Sequence, residues 1–560
     1  MRKRNGRIRG IKVFAGIMVS LSLIIGTVPG HDIKAAEPTG AVENSVSYVG
    51  DVDGDGQITP KDVTKLRRFL AGGWDVEVAT EDGDVDEDAQ ITPKDVTKLR
   101  RYLAGGWGVE LPEKIITKPV ATPITAANFP DDIFRKFVSD NFDKDGDGIL
   151  SVAEIVDVKE INCRPHRYTN FGNDLDDDEI WEAEKNFSSE GNGIKSIQGI
   201  EFFTELELIN CHNNRIEKVD LSKNKKLREF YSDGNCISEL ILGNSGKLTA
   251  IGCENNNLTA IDVSGLKNIE SLDCRNNNIF NLNVNNNKMI KKILASGNKI
   301  SSIDISNNSL METLWIADNK LTKLDVSYNP LLKVLFCNDN ELSELNIDSN
   351  LNLEDLNCSN NKIVNINCRA NANLVYIDCG GNDITTIDTG NNSLLKELKI
   401  GSNKLKSLDV SKNTELELLW CDYNQLESLD VSENTKLWFL GCHNNPFKTG
   451  LDVSKNTALT QLECQDNKLK DLNISNNTAL EILDCGGNEL TTLDVGNNTS
   501  LKELKIGYNK LPSLDLSKNT ALELLWCDGN SLTSIDLSKT KVTGLKLRKN
   551  EDVVVTWQYS

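Results

Sequence analysis

The chain has 560 residues, with 62 Lys plus Arg against 83 Asp plus Glu, and a formal net charge of −21. That acidity weighs against a general affinity for nucleic acid or an anionic membrane. Four His, one of them His31 near the start, leave few places for a His-rich metal site or a His-dependent triad, and 39% hydrophobic residues are fewer than one large globular core would use.

The first segment reads as a leader. Arg2, Lys3, Arg4, Arg7, Arg9 and Lys12 precede an apolar stretch from Val13 to Val28, then Pro29 and Gly30. This is the order of a secretory signal peptide, with Ala35 or Ala36 suited to the position before cleavage, so residues 1–36 are expected to be removed. The alternative is an uncleaved anchor, for which the apolar run is short. No later stretch is apolar enough to span a bilayer.

Two matched loops follow. Residues 51–62 read DVDGDGQITPKD and residues 84–95 read DVDEDAQITPKD. A twelve-residue loop with carboxylates at positions 1, 3, 5 and 12 and a backbone carbonyl at position 7 wraps a hard cation in oxygen. Here those positions are Asp51, Asp53, Asp55, Gln57 and Asp62, with Thr59 at position 9, then Asp84, Asp86, Asp88, Gln90 and Asp95, with Thr92. One calcium ion per loop is expected. Gly56 suits the sharp turn at position 6, whereas Ala89 at the same place weakens the second site. Ile58 and Ile91 point inward, and each loop runs into the same helix, DVTKLRRFLAGGW and DVTKLRRYLAGGW. Two copies in register, each with its helix, set them apart from acidic surface turns.

On these loops and the repeated LRRxLAG ending, segment 47–110 resembles a type I dockerin, with the module bounded at 46–110. The resemblance implies docking onto a cohesin module of a scaffold protein, in a cellulosome-like or cell-surface assembly. It also implies that loop positions 10 and 11 and a basic pair on the helix make the contact. These are Pro60, Lys61, Arg67 and Arg68, and in the other copy Pro93, Lys94, Arg100 and Arg101. The Pro-Lys pair departs from the small hydroxyl pair common in the best-known dockerins, which leaves the cohesin class open. Matched contact residues in both copies imply two docking orientations related by a half-turn.

Residues 111–126, LPEKIITKPVATPITA, read as an extended linker. A helical cap is expected over 127–191. Its first helix, FPDDIFRKFVSDNF, places Ile133, Phe134, Phe137 and Val138 on one face. The loop DKDGDGILSVAE then offers Asp143, Asp145, Asp147, the Ile149 carbonyl, Ser151 and Glu154, an EF-hand set for a third calcium ion. Similar segments precede the repeats of many bacterial surface leucine-rich repeat proteins, which gives this one a capping role. The acidic stretch 173–187 looks like an inserted solvated helix and is assigned no site.

From about residue 192 to 560 the chain repeats every 21 residues in the leucine-rich repeat pattern L-x-x-L-x-C-x-x-N-x-L. The Asn recurs from Asn214 to Asn445 and again from Asn467 to Asn530, with one step of 22 between the two runs. The expected fold is an internalin-like leucine-rich repeat β-solenoid of about 16 turns, preceded by an α-helical dockerin and the cap. Leu columns supply the core, and a second Asn column follows the D-V-S segment, as at Asn413, Asn434 and Asn456. Eleven Cys share an inward slot that Ile316, Ile400 and Ile506 fill in other turns. Buried free thiols are expected there, with disulfides and metal as alternatives; stacked parallel neighbours have poor bridging geometry. Cys163, Cys236 and Cys368 lie off this column and stay undecided.

Outward strand positions carry Trp315, Trp420 and Trp526, five turns apart. Segments 374–437 and 480–543 are near copies, so duplication alone accounts for the spacing. Large aromatics on a solenoid's concave sheet also mark binding surfaces, and Trp420 with Tyr423, Phe439 and His443 forms the richest patch. The reading is a secreted, monomeric, non-catalytic binding protein with a protein or polysaccharide ligand. The alternative is an accessory glycoside hydrolase-type component of a cellulosome. Against it, most carboxylates sit in calcium loops or repeated turns, and no unrepeated segment is long enough for a catalytic domain.

Overall fold

The computed structural model describes residues 45–557, apart from 53–56, 73–77, 79–82, 86–89, 106–110, 112, 117–119, 166–184 and 186–190. The leader therefore lies outside the described residues, as does most of the acidic stretch 173–187.

Each calcium-type loop leads into an eleven-residue helix, Pro60–Leu70 and Pro93–Leu103. The starts are set by sequence. Thr59 and Thr92 are extended N-caps that accept from the amides of Lys61 and Lys94, Asp62 and Asp95 complete capping boxes, and Pro occupies the first turn. The two helices pack through Val52, Val63, Leu66, Val85, Val96, Leu99 and Leu111, with Ile58 and Ile91 partly buried against them. The halves interlock: a Cβ on Gly50 would lie 2.8 Å from Leu99, and one on Gly83 would lie 3.1 Å from Leu66. Ser45–Tyr48 pairs antiparallel with Glu113–Ile116. The segment expected as an extended linker thus begins with a core residue, Leu111, and a strand. Thr122–Pro123 pairs with Ile149–Leu150 of the third loop.

In the cap, helix Asp132–Phe142 starts at Asp131, whose Oδ1 accepts from the amides of Ile133 and Phe134. Phe134, Phe137 and Val138 are buried, whereas Ile133, in the first turn, stays on the surface. Phe129, Phe134, Phe137, Phe142, Phe202 and Phe203 form one ring cluster between the cap and the first repeat. Asp131 Oδ2 also accepts from Lys195 and Ser196, so one carboxylate caps the helix and binds the array.

The array is a parallel sheet with one short strand per turn. Strand Glu160–Asn162 of the cap pairs with Leu208–Asn210, which pairs with Glu229–Tyr231, and the ladder runs in register to Leu524–Trp526 and Leu547–Arg548. Within each strand the middle residue faces in, as Leu314 opposite Leu335. The first Asn column closes each turn. Asn403 Nδ2 donates to the carbonyls of Cys379, Ile400 and Gly401, and its Oδ1 accepts from Ile384 N. In the second column, Asn434 Nδ2 donates to the carbonyls of Val410 and Asn413. The C-terminal end is covered by Val554–Thr556, paired with Ser534–Asp536, and by buried Val553.

All fourteen cysteines are unpaired. Burial pushes the thiols of Cys163, Cys337 and Cys368 up to about 12, so they remain protonated. Some act as donors, Cys253 Sγ to the Asp273 carbonyl at 3.3 Å. Cys163 is the head of the column, because Asn162 pairs with Asn210 and so sets Cys163 beside Cys211. Cys368 is buried in the core at the valine place of the second segment, while Cys236 is only half buried.

Candidate docking and recognition sites

In the two N-terminal loops the position-12 carboxylate closes the ring. Asp62 Oδ1 accepts from Val52 N and its Oδ2 from Thr59 N, both at 2.7 Å. Asp95 repeats this with Val85 N and Thr92 N at the same distances. Lys65 Nζ and Lys98 Nζ each donate to the carbonyl at loop position 2, at 2.8 Å. Asp51, Asp62 and Asp95 are buried and Asp84 is half buried, while Gln57 and Gln90 are exposed. Asp53, Asp55, Asp86 and Asp88 lie outside the described residues. The described donor set is all-oxygen, with a buried carboxylate closing each loop at position 12 and buried or half-buried ones at position 1, and this fits a hard divalent cation.

The third loop is described throughout. Asp143, Asp145 and Asp147 each offer an oxygen, and these lie within 4.8 Å of one another. Backbone amides aim the carboxylates: Gly146 and Gly148 donate to Asp143, and Ile149 donates to Asp147 at 2.7 Å. Glu154 bridges the loop, accepting from Lys144 N at 2.6 Å and Ser151 N at 2.8 Å. Burial raises the Asp143 carboxyl, and the carboxylates of Asp147 and Glu154 raise it further. Burial opposes ionisation of Glu154 as well, yet the amides of Ser151 and Lys144 hold it below its usual value. Lys144 Nζ in the loop is drawn to Asp157 at 2.9 Å, and the converging, mutually repelling carboxylates are what a bound divalent ion would neutralise.

The eight residues expected to touch a cohesin form two equivalent sets. Pro60, Lys61, Arg67 and Arg68 are exposed at the ends of one helix, and Pro93, Lys94, Arg100 and Arg101 occupy the same places on the other. Residues 49–108 match the family of type I dockerin domains. The N-terminal helical module is a type I dockerin. Such domains bind cohesin modules, generally bind calcium, and are typical of extracellular or cellulosome-associated proteins. No curated protein matches the chain by sequence. Among solved structures, the functional domain of InlJ from Listeria monocytogenes, which includes a cysteine ladder, is 26% identical, with a TM-score of 0.59 over 74% of this chain and 82% of that one. A leucine-rich repeat protein of Leptospira interrogans is 23% identical, with a TM-score of 0.50 over 56% of this chain and 86% of that one. A plant peptide hormone receptor, in complex with RGF2, gives 19% and 0.52 over 61% and 65%; this and the Leptospira likeness concern the fold. The array beyond the dockerin is an internalin-like leucine-rich repeat solenoid. No helix among the described residues is long and apolar enough to cross a membrane.

On the outward sheet face the expected aromatic patch is more closed than its sequence suggests. Trp315, Trp420 and Trp526 are half buried and Tyr423 is exposed, but Phe439 and His443 are buried, at 5% and 9% exposure. The cause is the short distance between turns, which makes large neighbours stack. Phe439 leans over Gly441, where a Cβ would lie 3.1 Å from its ring, and packs on Trp420 at 5.1 Å and Trp438 at 5.8 Å. His443 sits between Asp422, 3.4 Å from Nε2, and the Tyr423 ring. The indoles also stack along the array: Trp315 lies on Phe336 at 5.3 Å, and Trp526 has Lys505 and Arg548 over its ring at 5.2 and 4.1 Å.

Two features of this face escaped the sequence reading. Tyr423 and Tyr508 adopt left-handed φ values of +47° and +56°, at a turn position otherwise held largely by Asn, Asp and Gly. A bulky ring there costs strain, and both are exposed. The signal was available as the residue before each column Asn. The second feature is a set of carboxyls raised by burial: Asp378, Asp484, Asp422 (opposed by neighbouring His443), and Asp233, which reaches about 7.

Proposed function

We propose that this is a secreted, non-catalytic binding protein that plugs into a cohesin-bearing scaffold, at a cell surface or in a cellulosome-like assembly, and presents its repeat array to a protein ligand. The observation that carries the reading is the duplicated dockerin surface: two capped helices with the same exposed Pro-Lys and Arg-Arg contacts. The basic and apolar order of residues 2–28 supports export. Two calcium ions belong to the dockerin, held by Asp51, Asp53, Asp55, Gln57, Thr59 and Asp62 and by their equivalents from Asp84 to Asp95. A third belongs to Asp143, Asp145, Asp147, Ile149, Ser151 and Glu154. In each case the ion neutralises clustered carboxylates and locks the loop against its helix.

A protein ligand is favoured over a polysaccharide because stacking on a sugar needs a free ring face, and neighbouring turns cover faces of Trp315, Trp420 and Trp526. The test is capture of the full chain by immobilised cohesin modules with calcium or with chelator, beside an assay on plant polysaccharides. Calcium-dependent capture without release of reducing sugar is expected. Sustained sugar release would establish the carbohydrate-active alternative instead.

A further inference from the structure

Many lysines of the array are paired with a carboxylate on a neighbouring turn. Lys291 meets Glu270, Lys333 meets Glu312 and Lys502 meets Glu481, each at 2.7 Å. One strip departs from this habit. It consists of the two positions that follow the second Asn column, just before each strand. In four consecutive turns it reads Lys225-Lys226, Gly246-Lys247, Lys267-Asn268 and Lys288-Met289. Glu205 takes Lys226 at 2.6 Å. Lys225, Lys247, Lys267 and Lys288 are exposed and form no ion pair among the described residues. Turns stack about 4.8 Å apart, so these like charges repel one another. A chain with a net charge of −21 has carboxylates to spare, yet places none beside them.

The strip then turns apolar without a gap. Met289, Leu331, Leu351 and Leu394 are between 40% and 56% exposed, and Leu310 and Ala372 fill the turns between them. Neighbouring turns touch along it: Asn268 Nδ2 donates to the Gly246 carbonyl, and Asn352 Nδ2 to that of Pro330. At the basic end a groove of about 550 Å³ brings Lys226, Arg228, Lys247 and Met289 together. Its two carboxylates, Glu207 and Glu270, are engaged by Arg228 and Lys291. The solenoid itself does not require such a surface. Four later turns carry Thr457-Ala458, Thr478-Ala479, Thr499-Ser500 and Thr520-Ala521 at the same two positions. Where charge returns to the strip, at Glu415 and Lys436, it returns as an ion pair. Unpaired lysines that run into exposed aliphatic side chains therefore answer to something outside the fold.

We propose that this strip docks one amphipathic helix of a partner protein, whose contact stripe is acidic over one half and aliphatic over the other. The surface is separate from the sheet face and does not depend on the ligand assigned there. Charge complementarity selects the occupant: four unpaired ammonium groups call for carboxylates, and the aliphatic turns beside them call for apolar side chains. Spacing selects a helix. Side chains on one helix face recur about every 5.4 Å, close to the turn spacing of about 4.8 Å, whereas those on one strand face recur about every 6.8 Å. From Lys225 to Leu394 the strip runs about 38 Å, the length of about 26 helical residues. An anionic bilayer fits poorly, because the strip is only two residues wide and exposed Asp262, Asp304 and Asp325 stand a few residues upstream in the same turns.

The test titrates the full calcium-loaded chain into a labelled, alanine-based helical peptide of about 26 residues and follows fluorescence anisotropy. The peptide carries one contact side chain per helical turn, Glu in one half and Leu in the other. It should bind at least about tenfold tighter than a peptide of the same composition in which Glu and Leu alternate along the stripe. Its affinity should fall as salt rises. Lys225→Gln, Lys247→Gln, Lys267→Gln and Lys288→Gln together should cost at least about tenfold and remove most of the salt dependence. The Tm of that variant should be equal to or above the parent's, since repulsion is relieved. Leu331→Ser, Leu351→Ser and Leu394→Ser together should weaken the peptide and leave the salt dependence in place. Equal binding of the two peptides, or indifference to the lysine changes, would overturn the proposal. Phosphatidylserine vesicles serve as the competing probe and are expected not to bind. Lysine-dependent capture by vesicles, with no preference for the blocked peptide, would assign the strip to a membrane and overturn the proposal as well.

Discussion

The dockerin and the repeat array solve the same problem, a duplicated unit that cannot stand alone, with opposite means. Among the described residues the dockerin core holds seven buried apolar residues, and its two loops crowd carboxylates at positions 1, 3, 5 and 12. The array core runs without a break from Phe129 to Val553, each turn braced by Leu and Asn columns of its neighbours. On the proposed reading one region depends on ions for closure, and the other on nearest-neighbour packing. The contrast carries over to function, since a reversible plug suits an ion-dependent module and a long fixed surface suits a solenoid.

The largest expected effect breaks the comparison at its root. Chelating calcium from the full chain should abolish amide-exchange protection in Pro60–Leu70 and Pro93–Leu103 while leaving strands such as Glu397–Lys399 protected. Mass-spectrometric hydrogen exchange reads both at once. Retained protection in the helices without calcium would mean that the small core suffices.

Within the array, Asn403→Ala should be costly although it removes no apolar contact. It deprives the Ile384 amide and three carbonyls of their partner, at about 1–3 kcal/mol for each buried group left unpaired. Urea unfolding measures this loss, and a change below a few tenths would show that backbone closure does not need the amide.

The repeat was legible because every turn must bury its own Leu and pair its own Asn, so the period is written 21 residues at a time. Cys163 was not, because its strand belongs to the cap and lacks the repeat motif; only pairing with Leu208–Asn210 reveals it. The strand Glu113–Ile116 escaped for a similar reason, as its partner Ser45–Tyr48 lies far away in sequence. In the recognition surface, the position of Trp420 followed from strand alternation, but its exposure depends on what the next turn sets beside it, here Phe439 and Gly441. For the dockerin loops, the twelve-residue spacing is what proposes the calcium ligands.

That packing makes Trp420→Ala more than a surface change. It should lower stability by about 1 kcal/mol through loss of the stack on Phe439, readable as a small drop in the array's Tm, and should weaken ligand as well. An unchanged Tm would mean that Phe439 finds equivalent cover without the indole.

The smallest effect concerns pH. Burial raises the Asp233 carboxyl from 3.8 to about 7. The folded array therefore holds that proton more tightly than the unfolded chain. This contribution to stability is fully present below about pH 4 and is lost as pH rises through about 7. Asp233→Asn keeps an acceptor for the Glu254 amide, now at 2.7 Å from Asp233 Oδ1, but cannot ionise. The variant should be more stable than the parent at pH 8 in urea unfolding, with the gap narrowing at pH 5. A less stable variant at pH 8 would show that the charge is compensated.

The central claim, a calcium-dependent plug with two interchangeable faces, is tested most directly by titrating the full chain with a cohesin module in a calorimeter. The account predicts 1:1 binding in calcium and none in chelator. Replacing Lys61, Arg67 and Arg68 with Ala should leave binding nearly intact through Lys94, Arg100 and Arg101, while replacing both sets should abolish it. Loss of all binding from one set alone would contradict the two-face account.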